Sequence, residues 1–510
     1  MSEKKPLNIN YDEVFDVVLS FSSEQNYEKL LDVILTKMMD ITCSDAGTLY
    51  IVENDMLHFC IFKNKSLGLF EPPDGITKMK GRSGISLPPI SLDKSNIQTV
   101  SAYAAINNEI VVVDDVYGSR RFNFQGTKDY DVLIGYKTRS MLVLPLMAHW
   151  EDYPRDRLEV LGVIQLMNTV DDKTGEPASY GDIYNPPIIP AISNIAAQTL
   201  ANLMHMKETR MLLHSFVSTI TNAIDARSAY TKDHTRNVVA YCSEFVEFLN
   251  VRFPPGHIYH FDKPRAEQLN LAAFLHDIGK LVTPLSIMDK ADRLGSRITT
   301  LEYRFDIKEL QLERDFQGGK HSKDEFDRQI AEVKNARSLI KSVNNSAPLS
   351  DHDYESVKRL SGLMFINRNG DLAPLLEPED MESLSIRAGT LTPGERAVVQ
   401  KHVTVTERLL GSVAFQKYYK NVPVYAKSHH EFLDGSGYPR GLRGDSLPIE
   451  SCIITIVDIF EALVSENRPY KKGIAKSKAL GILTEMAENG KLHKELVQLF
   501  REFAETEKNI

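Results

Sequence analysis

Apolar and polar positions change period along this chain, and the changes mark its domains. Residues 11 to 40 carry helical spacing, with Val14, Val17, Val18, Leu30, Leu31, Val33, Ile34 and Met38 on the repeating positions. The period then shortens. TLYIVEND, MLHFCIF, EIVVVDDV, SMLVLPLMA and LEVLGVIQLMN are short runs rich in β-branched and aliphatic residues. Turn signals such as Asn54-Asp55 and Gly118-Ser119 bound them. After a short tail over 1–13, residues 14–190 are therefore predicted to form one α+β domain with an antiparallel sheet.

Helical spacing returns in PPIIPAISNIAAQTLANLMHMKETRMLLHSFVSTITNAIDA, through Ile192, Ile195, Leu200, Leu203, Leu213, Phe216, Ile220 and Ile224. The leading prolines suit a first helical turn. A polar patch from Lys207 to Arg210 interrupts the seam. Two helices of the flanking domains are one reading. The preferred one is a connecting helix over 191–225 that pairs with its twin in a parallel homodimer. From about 211 to 510 the pattern is almost wholly helical. Within it, residues 296–385 are highly charged, and LEYRFDIKELQLERD places opposite charges four residues apart. This segment reads as an insertion of two or three solvated helices, not a separate catalytic unit.

Composition narrows the class. The chain has 510 residues, 42% hydrophobic and 25% charged, which suits several soluble globular domains. A net charge of −9 argues against a general nucleic-acid binder. Cys43, Cys60, Cys242 and Cys452 form no CxxC pair, so neither a disulfide framework nor a thiolate zinc site is indicated, and a reducing cytoplasm fits. MSEKKPLNINYDEVF has no apolar run behind its lysines, and no run reaches membrane-spanning length, so neither signal peptide nor membrane span is expected.

The C-terminal half concentrates metal-friendly groups. LAAFLHDIGKL sets His276 and Asp277 at the end of an apolar helix. His234 and His402 fall on predicted helices, and His429 and His430 end another. Asp458 interrupts the apolar face of CIITIVDIFEAL. Each alone has a bland reading as a packed histidine or a helix cap. Together they do not, because an ionised aspartate on an apolar helix is costly unless paired or metal-bound. Imidazole and carboxylate without cysteine suit iron, manganese, nickel or zinc.

His276-Asp277-Ile278-Gly279-Lys280 resembles the hallmark of the HD-domain phosphohydrolases. HHEFLDGSGYPRGLRGDSLP, from His429, resembles the signature of their HD-GYP subfamily. YTKDH, LTPGE, VDIFEAL and RPYKK agree, over roughly 211–295 and 386–480. The resemblance implies an all-α catalytic domain and a cyclic-di-GMP phosphodiesterase with a two-metal centre, iron foremost. It assigns metal ligation to His234, His276, Asp277, His402, His429, His430 and Asp458, with Asp277 bridging. Lys280 corresponds to a lysine that steadies the scissile phosphate. Arg468 and Lys471 correspond to phosphate-holding positions, and Gly437 and Tyr438 shape the pocket edge. This chain departs from the family at Cys452, usually arginine, at Glu461, usually aspartate, and in its charged insertion. It has no clear extra glutamate beside His234, so a third metal is not expected.

The earlier runs GYKTRSMLVLPLMA and LGVIQLMNT resemble the late strands of GAF domains, small-molecule sensors. Cyclic-nucleotide-binding members tend to follow the asparagine of this strand with lysine, whereas Asn168 precedes Thr169. The GAF ligand, or its absence, stays open; His58 or His149 as a haem ligand is a minor reading beside a plain core or surface histidine. Three functions stay in view: a cyclic-di-GMP phosphodiesterase, a phosphodiesterase of another cyclic dinucleotide, and a weakly catalytic receptor recruiting partners through the insertion.

Overall fold

The first helical stretch folds as α1 (Tyr11–Ser23) and α2 (Tyr27–Ile41), and Asn26 caps α2 by accepting from the Lys29 amide. The structure, a computed structural model, describes residues 11–71, 88–148, 159–171, 174–183, 188–227, 233–345, 347–465 and 473–506. The chain divides into two units, Met1–Leu213 and His214–Ile510.

In the first unit the β-branched runs become β1 (Ser44–Glu53), β2 (Met56–Asn64), β3 (Leu69–Glu71), β4 (Ile90–Ser91), β5 (Val111–Val113), β6 (Met141–Ala148) and β7 (Glu159–Thr169). They form one sheet ordered β3-β2-β1-β7-β6-β5, with β4 on β2, and every pairing is antiparallel. Helices α3 (Val100–Asn107), α4 (Gln125–Ile134) and α5 (Tyr180–Ile183) fill the connections, and α6 spans Ile188–Asp225. The central strands read as continuous apolar runs because both faces are covered. On β6, Leu142, Leu144 and Leu146 join a core with α1, α2 and the start of α6, while Met141 and Val143 face the core holding α3. Asn168, the asparagine that precedes Thr169, is spent on structure. Its carboxamide accepts from the amides of Arg139 (2.6 Å) and Ser140 (3.2 Å) and donates to Lys137 O (2.8 Å), tying the end of β7 to the start of β6.

The second unit is helical, as the pattern predicts: α7 (His234–Arg252), α8 (Lys263–Leu275), α9 (Leu285–Met288), α10 (Arg297–Gln317), α11 (Lys323–Val343), α12 (Asp351–Arg359), α13 (Pro378–Leu384), α14 (Pro393–Gly411), α15 (Val422–Lys427), α16 (Ile449–Val464), α17 (Lys476–Glu488) and α18 (Lys494–Thr506). Helix α16 is buried almost throughout. Its Phe460 meets Phe500 at 5.1 Å between ring centroids, and Phe500 meets Phe245 at 5.2 Å, so α16, α18 and α7 share an aromatic core.

The charged insertion is α10 to α13, with a small hairpin, β8 (Met364–Ile366) and β9 (Leu372–Pro374), that its charge pattern does not signal. It has its own apolar core around Phe305, Ile340, Val357 and Leu376. Many of its charges pair between elements. Arg337 of α11 reaches Glu302 and Asp306 of α10, at 2.5 and 2.7 Å. Although about 90 residues part them, the insertion's two flanks meet: Lys290 Nζ lies 2.7 Å from Glu395 Oε2, and Thr390 donates to Lys290 O at 3.0 Å. Glu395 also closes the capping box of α14 with Thr392, which explains the LTPGE run.

Candidate metal centre

Five segments deliver the seven predicted ligands. His234 opens α7, His276 ends α8, and Asp277 leads into a short 3-10 turn over Ile278–Val282. His402 sits inside α14, and Asp458 sits on α16. His429 and His430 lie in the turn just past α15. Gly279 makes the approach possible. A β-carbon there would stand 1.9 Å from His402 O, so only glycine lets the 3-10 turn lie on α14. Thr406 locks that contact by accepting from the Gly279 amide (3.0 Å) and donating to His276 O (3.1 Å).

The groups converge on Asp277, which is 4% exposed. Its Oδ2 lies 3.1 Å from His276 Nε2 and 3.5 Å from His234 Nε2. Its Oδ1 lies 3.3 Å from His402 Nε2 and 3.9 Å from His429 Nε2. Asp458 Oδ1 stands 3.3 Å from His234 Nε2. Ligand atoms within 4.8 Å of one another group as His234-His276-Asp458, as His402-His429-His430 and as His276-Asp277-His429. Among the described residues, these groups all lie in the second unit.

Outer partners turn the imidazoles. Nδ1 of His276, His402 and His429 donates to the carbonyls of Ala273 (2.7 Å), Val399 (2.6 Å) and Ala426 (2.6 Å), three residues back in each case. That leaves Nε2 as a bare lone pair. Nε2 of these three histidines and Oδ1 of Asp277 are buried without a hydrogen-bond partner. Buried polar atoms are normally satisfied, so four such acceptors aimed at one another need a cation between them. The residues present fit divalent-cation binding.

Electrostatics split the site. Burial disfavours charge on His234, but Asp277, Asp458 and Glu461 outweigh it and hold this imidazole well above its ordinary pKa. Burial likewise opposes ionisation of Asp277, yet His276, Lys280 and His234 keep its carboxyl well below the usual range. On the other side burial dominates. It pushes His430 down to about 4 and His429 well below normal, with neighbouring histidines adding to the effect.

Lys280 Nζ rests 2.5 Å from Asp277 Oδ2, so its charge sits at the edge of the centre. Gly437 lets the loop after His430 fold back: its β-carbon would stand about 2.5 Å from the backbone of residues 430–432. Tyr438 donates its amide to His430 O (3.1 Å) and tilts its ring over the His430 imidazole at 4.8 Å. Arg468 and Lys471 lie outside the described residues, as does His149.

Two residues without a role in the sequence reading emerge. Glu431, 3% exposed, accepts from the amides of Arg440 (2.7 Å) and Leu442 (2.9 Å) and braces the glycine-rich loop. The His-His-Glu run was its only signal. Glu461, known only as a departure, bonds His234. At Cys452 a cavity of about 10 Å³ lies against Glu431, Ser451 and Cys452.

Comparison with known proteins agrees with this division. Residues 26–180 match the GAF domain family and residues 372–496 match an HD domain family, so the chain carries both domains. His234, His276 and Asp277 fall before the matched HD segment; the fold brings them to it. Over 137 residues the chain is 41% identical to a 3'3'-cGAMP-specific phosphodiesterase 3 of Vibrio cholerae, covering 27% of each chain. Over 111 residues it is 37% identical to the cyclic di-GMP phosphodiesterase response regulator RpfG of Xanthomonas campestris, covering 22% of this chain and 28% of the relative. A cyclic di-GMP phosphodiesterase of Thermotoga maritima is 38% identical over 96 residues, covering 18% and 24%. The matches thus span about a quarter of the length of these relatives.

Proposed function

We propose that this chain is a metal-dependent phosphodiesterase that opens a cyclic dinucleotide, cyclic-di-GMP foremost, to pGpG, GMP or both. The carrying observation is the convergence of bare Nε2 atoms on both oxygens of Asp277. His234, His276 and Asp458 would hold one divalent ion, and His402, His429 and His430 the other, with Asp277 between them. Iron is the first candidate, with manganese, nickel and zinc compatible with the donor set. Bound there, the two ions supply an acidified water and neutralise phosphoryl oxygens.

The chain's own residues do the rest. Asp277 fixes the spacing of the two halves. Lys280 offers its ammonium, beside Asp277, to a phosphate docked over the centre. Tyr438 holds His430 from one side and, with Gly437, forms the rim. Arg468 and Lys471 add positive charge for the substrate phosphates.

The relative named for 3'3'-cGAMP, the most identical of the three, favours a second reading with that hybrid as substrate. The GAF domain regulates the site. Helix α6 carries the homodimer contact, since Met206, Met211 and Leu212 are 51%, 62% and 70% exposed on it. The working place is the cytoplasm; among the described residues no helix is long and apolar enough to cross a membrane.

Purification without oxygen, metal analysis, and chromatography of cyclic-di-GMP and 3'3'-cGAMP reactions test this. Hydrolysis of cyclic-di-GMP supports the first reading, and preference for the hybrid supports the second. Tight binding without turnover overturns both in favour of a receptor.

A further inference from the structure

Four of the centre's five histidines are oriented by two different means. His276, His402 and His429 each use a carbonyl three residues back. His234 is the first residue of α7. Its Nδ1 instead lies 2.5 Å from Oε2 of Glu461, which sits on α16 three residues past Asp458. Glu461 is 2% exposed, and its other oxygen accepts from Asn237 Nδ2 at 3.0 Å. The carboxylate is therefore held from both ends.

A carboxylate is a stronger acceptor than an amide carbonyl. Backing an imidazole, it fixes the ring and makes the far nitrogen a better ligand. The same half of the centre also holds Asp458, whose Oδ1 stands 3.3 Å from His234 Nε2. The opposite half offers three imidazoles and shares only Oδ1 of Asp277. Negative charge is divided unequally between two sites of otherwise similar donors.

We propose that Glu461 is a positioning residue that holds His234 for ligation and makes the His234-His276-Asp458 half the tighter of two divalent-cation sites. This rests on the metal-centre reading above but not on the identity of the substrate.

The test is a Mn²⁺ titration of the full chain after chelator stripping, followed by calorimetry and electron paramagnetic resonance. Two binding events of unequal affinity are expected. Glu461→Gln keeps the side chain's shape and removes its charge. It should weaken the tighter event about 10- to 100-fold and leave the weaker one unchanged. Asn237→Ala should weaken the same event by a smaller factor, and carries the test if Glu461→Gln fails to fold by circular dichroism. His402→Ala should remove the weaker event only. A merely structural role for Glu461 would move both events together. Equal weakening of both, no change in either, or loss of the tighter event in His402→Ala overturns the proposal. A wild-type chain that binds no Mn²⁺ overturns the metal centre itself. Two unequal sites without dinucleotide hydrolysis support this inference and overturn only the proposed activity.

Discussion

Two aspartates of the second unit are buried to nearly the same depth, Asp380 in the insertion at 1% exposure and Asp277 in the centre at 4%. Asp380 is saturated. Arg297 Nε meets its Oδ1 at 2.7 Å, and Arg304 Nη1 and the Glu377 amide meet its Oδ2 at 2.8 and 2.9 Å. Asp277 has one lysine, and its Oδ1 faces the Nε2 atoms of His402 and His429, whose Nδ1 protons point away. Arginine is a permanent cation with fixed geometry, so Asp380 carries its own counter-charge and serves the fold. The His402 and His429 imidazoles on its Oδ1 side are kept neutral by burial and are lone-pair donors, so the counter-charge on that side must come from outside. Burial alone does not mark a functional carboxylate; the kind of neighbour does.

The widest separation between the two comes from removing each. Asp277→Ala should abolish metal content and turnover while circular dichroism stays helical; a variant with full metal and activity would sink the assignment. Asp380→Ala should do the reverse. It leaves Arg297 and Arg304 with only Glu377 and Glu379, frees the partly buried Glu377 amide, and should cost about 1–3 kcal/mol in urea unfolding, with metal content per folded chain unchanged. A smaller effect is expected at Lys280, the lysine paired with Asp277. Lys280→Ala should keep both metal ions and slow hydrolysis about 100-fold, as loss of one positioned charge does elsewhere. Metal loss on that substitution would make Lys280 structural.

The smallest effect is a pH slope in the chelator-stripped chain. His430 stays neutral in the fold down to about 4, and His402 and His429 are also lowered, all chiefly by burial. Unfolded, each takes up a proton below about 6.5. Between those values the unfolded chain binds more protons, so stability should fall as pH drops, by at most about 1.4 kcal/mol per pH unit per group. His234 and His276 act in the opposite sense and above this window: their raised values give stability that is complete below about 6.5 and lost as pH rises past it. Unfolding midpoints from pH 4 to 6.5 measure the first slope. His430→Gln should flatten part of it, and an unchanged slope would remove His430 from this account.

Much of this was legible in order along the chain. Short apolar runs such as SMLVLPLMA became strands, here β6, whereas the charged stretch, expected as two or three solvated helices, became α10 to α13 and a hairpin around an apolar core. His276, Asp277, His402, His429, His430 and Asp458 stood out because carboxylates and imidazoles interrupt apolar helices. Other features left no such trace. The hairpin over residues 364–374 was hidden within a helical charge pattern. Charges that looked like pairs along one helix also bind across helices, because α11 lies against α10 and long side chains reach over.

The sequence by itself determined which groups could bind a cation and where helices and strands begin, since both depend on residue type and local period. Only the tertiary structure decided how those groups are shared. Asp277 gives one oxygen to each half because Gly279 lets its turn touch α14. Glu461 backs His234 because α16 passes beside the start of α7, 227 residues away in the chain. Such pairings are set by helix packing over long separations, and no local pattern encodes them.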